Sequence, residues 1–434
     1  MDATNMSYPQ KMDSMNIPSM MCTQIKQTRR RFQANNNTTF SGSGVDINIP
    51  ISGEFSIDNK NVNLNFKLTV ATATSQADFS LFGLFKTIRV LNGSASNNIL
   101  EQIEDPGHIY SIASQHTWNQ HDISVQNAKQ LSIIQQPAVA TGIITKTGSD
   151  LTATDHYISL DLSQVCGIFN AETALPLYGT GGITVSLNTN TPASALILGS
   201  SATYTISDVY ITCTCLEGGE TYKKALDSVK ASRPLAMTFT SVKKYEQSFT
   251  GGASATSANL LINDRSRSCL GFVASARLSA DLTDGTKYKN SSSLFPVLTA
   301  FNYQVAGTNY PPTPFQNTGD IVDSAFDTLS HLSRSGYGKG GLLSRTQSKS
   351  IASTDAAASG ATSQTNVLCI DLAKCPPAEA RSVFFSGLNL GENNLQNQLQ
   401  VSFTPNSANY SIVIYAIVQK QLFIDKMGLM TPDN

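Results

Sequence analysis

The run Arg29-Arg30-Arg31 is the feature of this sequence best suited to hold something. Guanidinium groups pair with carboxylate or phosphate through two-point hydrogen bonding. Three in succession could touch a nucleic-acid genome, the inner surface of a membrane or a partner protein. They are few for counterion-driven packaging of nucleic acid, so a solvated strap, or pairing with a neighbouring subunit's carboxylates, fits them equally. The other constellations each lack a partner. Gly336-Tyr337-Gly338-Lys339-Gly340-Gly341 contains G-x-G-x-x-G, but a helical pattern precedes it and polar Ser/Thr/Gln sequence follows, the reverse of a dinucleotide site. His108, His116 and His121 cluster without cysteine or paired carboxylate at ligand spacing and read as surface histidines. Cys213 and Cys215 stand at i and i+2 of a strand and point to one core face. His156 beside Asp155 is a strand-start pairing with no serine set around it. The expectation is a protein that is not an enzyme, with no catalytic residue, metal, cofactor or small-molecule substrate.

Composition favours burial of the flanks over catalysis. Of 434 residues only 14% are charged, while 40% are hydrophobic, enough for cores of two domains. Hydroxyl and amide surfaces can re-pair across a contact, so covering them costs less than covering unpaired charge. The net charge of −1 leaves nucleic-acid contact to local patches. Seven scattered cysteines read as reduced thiols rather than a disulfide framework. The opening Met1-Asp2-Ala3-Thr4 carries no apolar signal-type stretch, and no run approaches ~18 apolar residues, so neither a secretory nor a membrane-spanning segment is expected.

The elements that must position these residues are strands. Residues 1–44 show no convincing period, hold six of the nine methionines and read as an arm ending in the arginine run. From Val45 alternation begins: Val45, Ile47, Ile49 and Ile51 share a face, and Val62, Leu64, Phe66, Leu68 and Val70 share another. Strands are expected over 84–91, 157–162, 183–187 and 204–216, with a short helix after Asp105-Pro106. Glu217-Gly218-Gly219 reads as a linker, followed by a mixed stretch to Arg233-Pro234. The pattern then restarts, with strands over 237–249, 258–262, 270–278, 298–305, 367–372, 383–388, 399–403 and 412–422. A helix opens at Asp320, with Ala325 and Leu329 in its apolar stripe.

The second half reads as a divergent copy of the first. Ile158-Ser159-Leu160-Asp161-Leu162 matches Leu368-Cys369-Ile370-Asp371-Leu372, Ile183–Leu187 matches Leu399–Phe403, and Tyr204–Ile211 matches Tyr410–Ile417, all at about 210 residues' separation. The expected fold is all-β: two tandem eight-stranded jelly-roll sandwiches with short helices in long loops, plus an N-terminal arm. The expected divisions are arm 1–44, first roll 45–225 and second roll 226–434.

Arg31-Phe32-Gln33, Thr39-Phe40-Ser41, Ile47-Asn48-Ile49-Pro50 and Val62–Leu68 resemble the opening of major capsid proteins of polinton-like viruses and virophages. Asp161-Leu162 with Leu175–Ile183, Tyr204–Val209 and the segment Tyr310–Pro314 extend the resemblance across most of the chain after Arg29. The resemblance implies a homotrimer whose six rolls make a pseudo-hexagonal capsomer in an icosahedral shell around double-stranded DNA. It implies neighbouring capsomers, penton and minor or cement proteins as partners, and a virion location after assembly inside the host cell. A tandem β-sandwich fibre or spike that binds receptor or carbohydrate is the alternative. Such sites usually present aromatic platforms, and Trp118 is the sole tryptophan.

Overall fold

The computed structural model describes residues 25–71, 75–78, 80–93, 98–117, 150–151, 155–197, 203–252, 257–285, 287, 289–290, 293, 295, 298–315, 318–332, 367–374, 386–391, 396–403 and 406–433. The expectations on residues 1–24, Trp118, His121, the 336–341 glycine segment, Cys375 and most of the 383–388 strand lie outside them.

The first half contributes β1 (Lys26–Gln33), β2 (Thr39–Ser41), β3 (Asp46–Ile51), β4 (Ser56–Val70), β5 (Phe85–Asn92), β6 (Ile99–Glu104), α1 (Pro106–Thr117), β7 (Asp155–Asp161), β8 (Ile183–Thr189) and β9 (Tyr204–Glu217). In one sheet β1 and β2 pair with β9, β9 with β4, and β4 with β7. The facing sheet runs β3–β8–β5–β6. After α2 (Gly219–Ser232) the second half supplies β10 (Leu235–Gly252), β11 (Ser257–Ile262), β12 (Cys269–Leu278), β13 (Leu298–Val305), β14 (Thr308–Phe315), α3 (Thr318–Ser330), β15 (Val367–Asp371), β16 (Asn397–Phe403), β17 (Asn406–Ile424) and β18 (Met430–Asp433). Its sheets run β10–β17–β12–β15 and β11–β16–β13–β14. In the first half β1 pairs with β9 and β3 with β8, and in the second β10 pairs with β17 and β11 with β16, the wrapping of a jelly roll. Matching elements recur about 210 residues apart, including α1 and α3.

Alternation builds the first core: Val62, Leu64, Phe66, Leu68 and Val70 of β4 are buried, as are Ile47, Ile49 and Ile51 of β3. The central strand β17 breaks the alternation, with every residue from Ile412 to Val418 buried. Its two faces serve different cores. Ile412, Ile414, Ala416 and Val418 lie in the second roll's own core, while Val413, Tyr415 and Ile417 join the cluster that continues into the first roll. A strand covered on both sides reads as a continuous apolar run. The two rolls therefore share buried surface along their seam.

The arm expected over 1–44 is not one between residues 26 and 41, because β1 pairs with β9 along its whole length, from Lys26 opposite Glu217 to Gln33 opposite Tyr210. As the first strand of its sheet it lies at an edge, and most of its residues are exposed, so no apolar period marks it. The mixed stretch expected after Glu217-Gly218-Gly219 is instead α2, with Tyr222, Ala225, Leu226 and Val229 buried at helical spacing. It runs through the expected boundary at 225/226.

Candidate functional site

An extended strand points neighbouring side chains to opposite faces, so β1 does not gather its three arginines. Arg30 turns to one side, where it pairs with Glu217 at 2.6 Å and lies 5.0 Å from the Phe55 ring centre. Thr28 donates to the same carboxylate at 2.9 Å. Arg31 stacks 3.6 Å from the Tyr210 ring centre, and Arg29 reaches the Thr212 hydroxyl at 3.4 Å. All three stay exposed. Contacts of this kind are worth roughly 0–1 kcal/mol each. Arg29 and Arg31 thus form a pair on one face, and Arg30 is a separate, already paired charge.

The more heavily built site is the seam between the rolls. Glu101 of β6 is buried and accepts from the backbone N–H of Gly167 at 2.9 Å, the N–H of Ile168 at 3.0 Å and the Ser241 hydroxyl of β10 at 2.6 Å. Burial raises its carboxyl above the usual range, and these donors act against that rise. Gly167 sits so close to β10 that an added Cβ would overlap the Thr240 carbonyl, at 1.8 Å, so only glycine fits this approach. The C-terminal strand closes the same seam: the Met430 carbonyl of β18 accepts from the Asn98 amide at 2.7 Å and the Asn92 amide at 3.2 Å.

Ahead of α1, Asp105 adopts φ +54° and points its carboxylate across the seam. Arg277 of β12 stands 3.0 Å away and Lys244 of β10 stands 3.3 Å away. Lys244 also pairs with Glu246 at 2.9 Å. Burial alone would raise the Asp105 carboxyl, but Arg277 and then Lys244 outweigh it and hold it well below its ordinary value.

His108 and His116 are not on the surface, contrary to expectation. His108 is buried between the Asn290 carbonyl, 2.8 Å from Nδ1, and the Ser275 hydroxyl, 2.9 Å from Nε2. His116 is buried with Nδ1 2.9 Å from the Ile112 carbonyl and its ring 5.6 Å from that of Phe326 on α3. They are buried because α1 packs against α3 and the rolls, a contact no local pattern shows. Burial, then the Arg277 charge, lowers the His108 pKa to about 3; burial lowers that of His116 to about 4.

Acid should therefore weaken the fold. An unfolded histidine gains its proton near pH 6.5, and the folded one resists until about pH 3 or 4, so stability falls as pH drops through that window. Each histidine should cost about 2 kcal/mol between pH 7 and pH 5. Glu101, with its raised carboxyl, acts in the opposite sense. Urea melts at the two pH values should show the loss, and His108→Asn should remove about one proton from the slope. An unchanged slope would mean that His108 titrates freely.

No catalytic set emerges among the described residues. Cys166, Cys213, Cys215, Cys269 and Cys369 are buried free thiols, and among the described residues no group of three or more His, Cys, Asp or Glu could hold a metal. Lys243 lies 2.9 Å from the Ser266 hydroxyl, but that hydroxyl donates to Asp264 at 2.7 Å and Ser266 is 2% exposed, so the pair braces strands. No described helix is long and apolar enough to cross a membrane. Sequence reasoning missed Glu101, Asp105 and Arg277 as seam residues. The only local signal is a charge inside an apolar strand, as at Arg277 in β12.

No protein-family model matches this chain, and no curated protein matches its sequence. Solved structures match its fold. The PBCV-1 virus capsid matches at TM-score 0.60 and 10% identity, covering 95% of this chain and 97% of that one. The Sputnik virophage structure matches at TM-score 0.55 and 11% identity, covering 94% and 88%. The mavirus major capsid protein matches at TM-score 0.51 and 9% identity, covering 100% and 93%. At these identities the likeness is one of fold: this chain has the double jelly-roll fold of those capsid proteins.

Proposed function

We propose that this chain is a structural major capsid protein, located in the virion shell. In this reading three copies form a trimer whose six rolls give a pseudo-hexagonal capsomer. Capsomers then tile an icosahedral shell around double-stranded DNA, contacting penton and minor or cement proteins at their margins. The observation that carries the reading is the joining of two jelly rolls through a shared buried seam, in a chain that matches capsid chains over nearly its whole length. A rigid two-roll tile with sparse surface charge suits repeated side-by-side contact. Sedimentation at micromolar concentration should give a mass three times that of the chain; monomer at every salt concentration would contradict the proposal.

Within this reading Arg29 and Arg31 reach a neighbouring subunit's carboxylates, or the phosphates of the genome or an inner membrane. Both are exposed on one face of an edge strand, each held among the described residues by one weak contact. The double replacement Arg29→Gln/Arg31→Gln should leave folding and trimers intact, since neither residue belongs to a core, and should make shells irregular or absent. Normal shells from the double variant would reduce both arginines to solvated charges.

A further inference from the structure

A cleft of about 430 Å³ opens between the rolls, within the range of small-molecule sites, which run from roughly 300 to 1,000 Å³. β5 and β6 form one wall, and Lys244, Arg277, Lys289 and Asn290 of the second half form the other. Its charge is unbalanced. Lys244 and Arg277 are taken up by Asp105 and Glu246. That leaves Lys86 and Arg89 facing the cleft against Glu104 as the one further lining carboxylate, while Lys289 has Asp78, Asp284 and Asp281 around it. Lys86 is exposed and has no partner among the described residues. Arg89 gives its Nε–H to Gln102 at 3.1 Å, and Gln102 in turn donates to Glu104 at 2.7 Å. Lys289 is buried, with its ammonium on the Ala193 carbonyl.

A second observation is independent of this charge. The Arg277 Nε–H and the Asn290 amide nitrogen are buried, in residues 7% and 3% exposed, with no acceptor among the described residues. Both residues line the cleft. Buried donors without acceptors cost stability, so a guest oxygen that reached either one would be favoured there. Burial also holds the Lys289 ammonium below its usual pKa, although Asp78, Asp284 and Asp281 around it act the other way. An anion would offset that cost.

We infer that this cleft binds a small polyphosphate anion that bridges the two rolls. A single carboxylate offers two oxygens on one carbon. A diphosphate spreads several oxygens over two centres, and can meet Lys86 and Arg89 on the first roll while reaching Lys289 and Asn290 on the second. The ligand contacts both halves of the folded chain, so it binds the native state and raises its melting temperature. This assignment does not depend on shell assembly and is measured on the purified full chain.

Titration calorimetry and thermal melts with inorganic diphosphate, against sodium chloride at matched ionic strength, test it. Diphosphate should bind and raise the melting temperature beyond the salt control. Lys86→Gln/Arg89→Gln should weaken binding at least tenfold, and Lys86→Gln alone, at an exposed position, should weaken it severalfold without disturbing the fold. Lys223→Gln, on a remote helix and paired with Glu54, should change nothing. No binding beyond the salt control, or equal affinity in the double variant, would overturn the inference. So would a short DNA duplex that binds more tightly than diphosphate and depends on the same two residues, since the cleft would then serve a nucleic-acid backbone.

Discussion

Asp105→Asn should lower stability by about 3 kcal/mol, or about 6–12 °C in melting temperature, and separate the melting of the two rolls. The carboxylate answers two cations from the other half of the chain, Arg277 at 3.0 Å and Lys244 at 3.3 Å. Asparagine tolerates the left-handed backbone at this position, so the replacement removes charge without adding strain. Losing one partner of a buried cluster leaves the others desolvated and unanswered. The lower end of the expected range applies because the Asp105 side chain keeps 18% exposure. Arg277→Met in the same background should restore part of the loss, since the orphaned cation is then gone. Glu246→Gln should cost under about 1 kcal/mol, because that side chain is 43% exposed and solvent screens it. Calorimetry reads all three variants. A single transition within about 2 °C of the parent for Asp105→Asn would mean that the seam is held by its apolar contacts alone.

Removal of residues through Gln33 should unfold or aggregate the first roll, relative to a chain beginning at Ile25. β1 faces β9 at eight successive register positions. Each ladder hydrogen bond is worth about 1 kcal/mol net, so several kcal/mol are lost, together with the covering contacts of Phe32. The exposed flank of β9 becomes an open edge able to pair with another chain. The expected result is insoluble protein, or melting at least about 10 °C lower. Folding intact to within about 2 °C would make β1 a peripheral strap after all.

The legible parts of this fold were the strands with one buried face. Val62 to Val70 alternate because β4 has the core on one side and a solvated face on the other. The repeat at about 210 residues was equally plain, since both halves wrap alike. Strand β1 was illegible because an exposed edge needs no apolar period, and its arginines looked like a free arm. Helix α2 hid behind Gly218-Gly219, although Tyr222, Ala225, Leu226 and Val229 already stood at helical spacing. The seam and cleft could not be read locally. Glu101 gathers Gly167, Ile168 and Ser241, and the cleft joins Lys86 to Asn290, pairings made only by docking one roll against the other.

Electron microscopy of the purified protein tests most directly whether this chain is a shell-building tile. Class averages should show trimers with a pseudo-hexagonal outline, six lobes around a threefold axis, and flat arrays or closed shells as concentration rises. Isolated two-lobed monomers, or elongated fibre-like trimers that never pack edge to edge, would contradict the account.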